Sequence, residues 1–134
     1  IGVGLVGSEM CIRDSIFVDS RIIAATNKDL KSLIKENKFR EDLYHRIAVI
    51  ELNVPKLDDR KDDIVLLVDH FLEQLSNSNE NGIFTMDSKA IKLLSTYSWK
   101  GNVRELRNVV ERLTILSENN NISSDDVKRF SGKK

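Results

Sequence analysis

Apolar residues recur along this chain in two rhythms, and the change between them divides it. Up to Val54 they come in short runs: Ile16-Phe17-Val18, Ile22-Ile23-Ala24-Ala25-Thr26 and Ala48-Val49-Ile50-Glu51-Leu52-Asn53-Val54. The second is rich in β-branched residues and too continuous to be half exposed, which predicts a buried, parallel strand. The third alternates in part, is stopped by Pro55, the sole proline, and predicts a second strand. Between them Leu30, Leu33 and Ile34 follow helical spacing. So do Phe39, Leu43 and Ile47, which fall on one row that a helix can bury while Arg40 and Arg46 point away from it. Strand, helix and strand are the grammar of a three-layer α/β domain. Two strands cannot make a sheet covered on both faces, so this part reads as the tail of a larger domain.

Beyond the charged linker from Lys56 to Lys61 the rhythm is helical throughout. Asp62 and Asp63 open a helix whose buried face is Ile64, Leu67, Val68, Phe71, Leu72 and Leu75, with acidic residues suited to its first turn. Ser76 to Gly82 is a loop by composition. Asp87 is placed to cap an element bearing Ala90, Ile91, Leu94 and Tyr97. Asn102 with Glu105 resembles a capping box ahead of Leu106, Val109, Val110, Leu113 and Leu116. Asn119 to Asn121 stop that helix, and Ser123 to Val127 start one last short turn. The predicted fold class is α/β followed by all-α: 16–61 a C-terminal α/β piece, 62–130 a helical bundle, 131–134 a tail. Ile1 to Val6 is apolar and Gly-rich, Gly7 to Ser15 lacks a helical or alternating period, and 1–15 stays unassigned, an end to be read as either foreign to the rest or mis-assembled.

Composition changes this picture little. The 134 residues carry 21 Lys plus Arg against 21 Asp plus Glu, so no global basic field argues for wrapping nucleic acid. A single Cys11 excludes an intramolecular disulfide and suits a reducing cytoplasm. There is no apolar run of about 18 residues, so no membrane span is expected. His45 and His70 lack spaced Cys or His partners, and no metal site is predicted.

Three places combine charge with position. Asn27 follows the predicted strand ending at Thr26, where ligands gather in parallel α/β sheets. Its amide could orient a water or touch a phosphate, or Asn27 or Asp29 could simply cap the next helix. Arg40 and Arg46 lie about 9 Å apart along a helix axis, which suits two contacts on one large anion. The plainer reading pairs Arg46 with Asp42 on the surface. Arg104 sits in the first turn of a capped helix, where anions are favoured. Trp99 and Phe71 read as core.

Four blocks then stand in order: Ser20 to Leu30, Phe39 to Arg46, Val54-Pro55-Lys56-Leu57 with Arg60 and Asp63-Ile64, and Trp99-Lys100-Gly101-Asn102-Val103-Arg104-Glu105-Leu106. They resemble successive blocks of the AAA+ sigma-54 interaction domain of NtrC-like bacterial enhancer-binding proteins, with most likeness to response regulators of the NtrX kind. The resemblance implies the C-terminal part of an AAA+ P-loop NTPase core plus its helical lid. It also implies residue roles: Asn27 as sensor I, Arg40 and Arg46 as arginine fingers reaching a neighbouring subunit's ATP, and Arg104 as sensor II in the lid. ATP with Mg²⁺ would be the cofactor of the intact protein, with none bound tightly by this chain alone. The implied partners are the sigma-54 RNA polymerase holoenzyme, further copies in a hexameric ring, and promoter-upstream DNA through a domain outside these residues; the location would be cytoplasmic.

Departures are equally specific. These residues include no G-x-x-x-x-G-K-[ST] loop, no acidic strand end that would hold Mg²⁺, no sigma-contacting loop and no helix-turn-helix domain. Lys56 and Lys100 replace usual prolines, and Asp58 a usual arginine. The rival readings are a non-enzymatic helical interaction module and an AAA+ ATPase of another branch.

Overall fold

The computed structural model describes residues 15–78, 80 and 82–133. The reading of 1–15 as foreign falls almost entirely outside them. The chain divides into two compact units, Ile1–Asn53 and Val54–Lys134.

In the first unit, α1 (Leu30–Lys35) begins at Asp29, whose carboxylate accepts from the Lys31 and Ser32 N–H groups at 3.0 and 3.4 Å. Asn37 ends it in the left-handed region, φ 55°. The Asn37 N–H then reaches the Ile34 carbonyl and the Lys38 N–H the Leu33 carbonyl, at 3.0 and 2.8 Å, closing a Schellman motif. That turn delivers the chain to Arg40, the N-cap of α2 (Glu41–Ile47). The helix thus begins after Phe39, so Phe39 packs from outside it, half-buried like Leu33, Ile34, Leu43 and Tyr44.

Neither predicted strand forms among the described residues of this unit. Residues 15–26 and 51–53 carry no regular structure, and Phe17, Ile23 and Leu52 are 95%, 87% and 87% exposed. A ladder needs a partner edge and a doubly covered strand needs a layer on each face. The described residues supply neither, so the apolar runs keep their composition without their pairing.

In the second unit a 3-10 turn, Leu57–Asp59, precedes α3 (Asp63–Asn77). There follow β1 (Thr85–Met86), α4 (Ser88–Thr96), α5 (Asn102–Leu116), β2 (Asn121–Ile122) and α6 (Ser124–Phe130). α3 packs on α4 and α5, and α6 on α4 and α5. Their apolar stripes meet in one core including Ile64, Val68, Leu94, Leu106, Leu113 and Val127, each fully buried, with Trp99 at 1% exposure. Phe71 is buried as expected, but Leu116, in the last turn of α5, is 45% exposed. No helix among the described residues is long and apolar enough to cross a membrane.

β1 and β2 are parallel, pairing Thr85 with Asn121 and Met86 with Ile122. This bridge changes two expected roles. Asp87 occupies the N-cap of α4, but its carboxylate makes no cap bond and accepts instead from the Asn121 amide at 3.0 Å. Asn121 therefore joins two segments besides following a helix end. α6 is longer than the expected turn, opened by a complete capping box between Ser123 and Asp126.

Candidate functional site

Arg40 and Arg46 bracket α2 and differ in their surroundings. The Arg40 guanidinium donates to both Asp42 carboxylate oxygens, at 2.9 and 2.5 Å, which raises its own pKa and lowers that of Asp42. The pair borders an open hollow of about 410 Å³ lined also by Ile34 and Phe39. Asp42 thus pairs with Arg40 and not with Arg46, because the N-cap geometry turns Arg40 back over the first helical turn. Arg46 is exposed in the last turn and has no carboxylate partner among the described residues. The Tyr44 hydroxyl donates to a Glu51 oxygen, and Lys31 of α1 stands 4.0 Å from that carboxylate.

Asn27 lies exposed in the bend between Thr26, whose hydroxyl accepts from the Lys28 N–H at 3.1 Å, and Asp29. Capping of α1 falls to Asp29 alone. The Asn27 amide is left without a hydrogen-bond partner among the described residues, available to a ligand.

Arg104 projects from the first turn of α5 and is exposed, again without a carboxylate partner among the described residues. Its turn is fastened at three points. The Asp58 carboxylate accepts from the Trp99 N–H at 2.7 Å and the Ser98 hydroxyl at 2.9 Å, and those bonds hold it below the usual carboxylate range. The Asn102 side-chain oxygen accepts from the Leu57 N–H at 2.9 Å. Glu105 accepts from the Lys133 ammonium at 2.6 Å and from the Gly101 N–H at 2.8 Å, which lowers its pKa, the lysine contributing most.

The expected Asn102–Glu105 capping box is therefore replaced. Gly101 is the N-cap, Glu105 covers its N–H, and Asn102 adopts φ 52° to reach the 3-10 turn. A Cβ on Gly101 would lie 2.8 Å from that of Glu105, so glycine permits the close approach. Sequence reasoning missed Asp58 and Lys133. Asp58 was visible only as a departure from the resemblance, and a partner 41 residues away leaves no periodic trace.

Arg46 and Arg104 each present guanidinium donors to solvent without a carboxylate partner among the described residues, and arginine geometry matches phosphate oxygens. The fold agrees with the comparisons: residues 58–133 match the AAA+ ATPase lid domain family. The chain belongs to that lid-domain family, and residues 6–53 match the Sigma-54 interaction domain. Its fold is accordingly the C-terminal part of the AAA+ core followed by the lid.

Relatives are consistent with this. The regulatory protein AtoC of Escherichia coli (strain K12) is 49% identical over 113 residues, 84% of this chain and 24% of that protein. The DNA-binding transcriptional regulator NtrC of Rhizobium meliloti (strain 1021) is 48% identical over 104 residues, 78% of this chain and 21% of that protein. The crystal structure of NtrX from Brucella abortus in complex with ADP superposes with a TM-score of 0.74 at 38% identity, over 83% of this chain and 26% of the other. The chain thus spans about a quarter of the length of such relatives.

Proposed function

We propose that this chain is the finger-and-lid portion of the ATPase module of a sigma-54-dependent transcription activator of the bacterial cytoplasm. The intact protein would assemble as a hexameric ring, couple ATP binding and hydrolysis to remodelling of sigma-54 RNA polymerase, and bind promoter-upstream DNA through a separate domain. The observation that carries this reading is the exposure of Arg46 and Arg104 without carboxylate partners among the described residues, at the positions that the resemblance assigns to finger and lid sensor.

MgATP would supply a triphosphate whose terminal phosphoryl group gathers negative charge as it transfers. Arg40 and Arg46 would neutralise that charge on a neighbouring subunit's nucleotide, making hydrolysis depend on assembly. Arg104 would contact nucleotide in its own subunit through the lid, and Asn27 would orient the water or report the terminal phosphate. Because these 134 residues contain no G-x-x-x-x-G-K-[ST] loop, the chain by itself should turn over no ATP.

The test is made in the longer parent protein. Arg46→Ala should lower ATP hydrolysis by about 10³–10⁵ while leaving ATP binding intact, since a finger stabilises charge mainly in the transition state. Loss of binding in a folded variant would assign Arg46 to its own subunit's site and overturn the finger reading.

A further inference from the structure

Lys133 lies just beyond α6, yet its side chain is only 19% exposed, an unusual condition for lysine. It is brought there by a specific turn. Ser131 is buried, Gly132 adopts φ +71°, and a Cβ on Gly132 would stand 3.3 Å from an Arg112 guanidinium nitrogen. The ammonium then engages three groups of one turn. It donates to the Ser98 carbonyl at 2.5 Å, pairs with a Glu105 oxygen at 2.6 Å and lies 4.6 Å from the centre of the Trp99 ring. Ser98 and Trp99 are on the near side of Arg104 in the chain, and Glu105 follows it directly.

We propose that Lys133 is a positioning residue for Arg104: it clasps the turn from Ser98 to Glu105 and holds the start of α5 where Arg104 can reach its ligand. This rests on the reading of Arg104 as a nucleotide-contacting residue. The core does not depend on the clasp, because Leu106, Val110 and Leu113 seat α5 through its apolar face. What the ammonium adds is restraint of the polar turn ahead of that face. Without it Glu105 keeps only the Gly101 N–H and the Ser98 carbonyl loses its charged donor. The turn then has more conformations available, and a ligand of Arg104 must select among them.

The test uses the longer parent protein, titrated with a fluorescent ATP analogue. Lys133→Met, which keeps the apolar stem over Trp99, should weaken binding about tenfold, and Lys133→Arg should recover most of the loss. Adding Lys133→Met to Arg104→Ala should cost nothing beyond Arg104→Ala alone, since both act through one guanidinium. Unchanged affinity in Lys133→Met, or losses that add in the double variant, would overturn the clasp. An Arg104→Ala protein of normal affinity would overturn the sensor reading itself, and the clasp with it. If Lys133→Met does not fold, Glu105→Gln serves in its place, and normal affinity there counts against the proposal equally.

Discussion

Arg40 caps one short helix and Arg46 sits in its last turn, yet of the two only Arg40 has a carboxylate partner among the described residues, Asp42. To act on a phosphate Arg40 must exchange that carboxylate, whereas Arg46 has nothing to exchange among the described residues. In the parent protein Arg46→Ala should therefore cost more hydrolysis than Arg40→Ala, and Asp42→Asn should leave hydrolysis at or above the unsubstituted level. Equal or reversed losses in steady-state ATPase assays would show that the Asp42 pair does not compete. Carboxylates set a second residue-scale expectation. Asp58, Glu105 and Asp126 are all held below their ordinary values of 3.8, 4.5 and 3.8 by the groups that hydrogen-bond them. A depressed folded pKa means the contribution is complete above the ordinary values and is lost as pH falls through the folded ones. Denaturant midpoints of this chain should be level down to about pH 5 and fall progressively below about pH 4. A midpoint unchanged to about pH 2.5 would show that these bonds contribute nothing net.

Elements are where sequence and structure agree most and differ most instructively. α3, α4 and α5 were legible because each buries one stripe, and periodicity reports burial directly. The caps were less legible, since a polar side chain near a helix start can serve its own helix or a neighbouring segment. Asp87 serves β2 and Asn102 serves the 3-10 turn, while Asp29 and Ser123 serve their own helices. The two-residue β1–β2 bridge is too short to have a period. The predicted strands near Ile22 and Val49 show the converse: apolar runs announce burial but not which surface provides it. Two element-scale outcomes follow. Ser123→Ala breaks a complete capping box and should destabilise the chain by about 0.5–2 kcal/mol in urea unfolding. Asn37→Gly should be nearly neutral and Asn37→Val clearly destabilising, because only the second places a β-branched residue at positive φ. The reverse order would mean that the Schellman turn does not set the start of α2.

At the scale of the whole molecule, the chain carries its exposed candidate arginines on two scaffolds. Arg46 rides on a half-buried helix pair, and Arg104 on a fastened turn above a packed core. The candidate positions were legible because motif order is a sequence property. What fastens Arg104 was not, because Asp58, Asn102 and Lys133 meet across some 35 to 45 residues. That Arg46 acts on a neighbour's nucleotide can be tested by mixing subunits. Parent protein bearing Arg46→Ala is combined with parent protein that cannot bind ATP but keeps Arg46, and hydrolysis is measured for each alone and for the mixture. Each should be inactive alone, and the mixture should recover activity, because a subunit that binds ATP can then sit beside one that supplies the arginine. A mixture as inactive as its components, in rings shown to contain both, would place Arg46 in its own subunit's site and contradict the account.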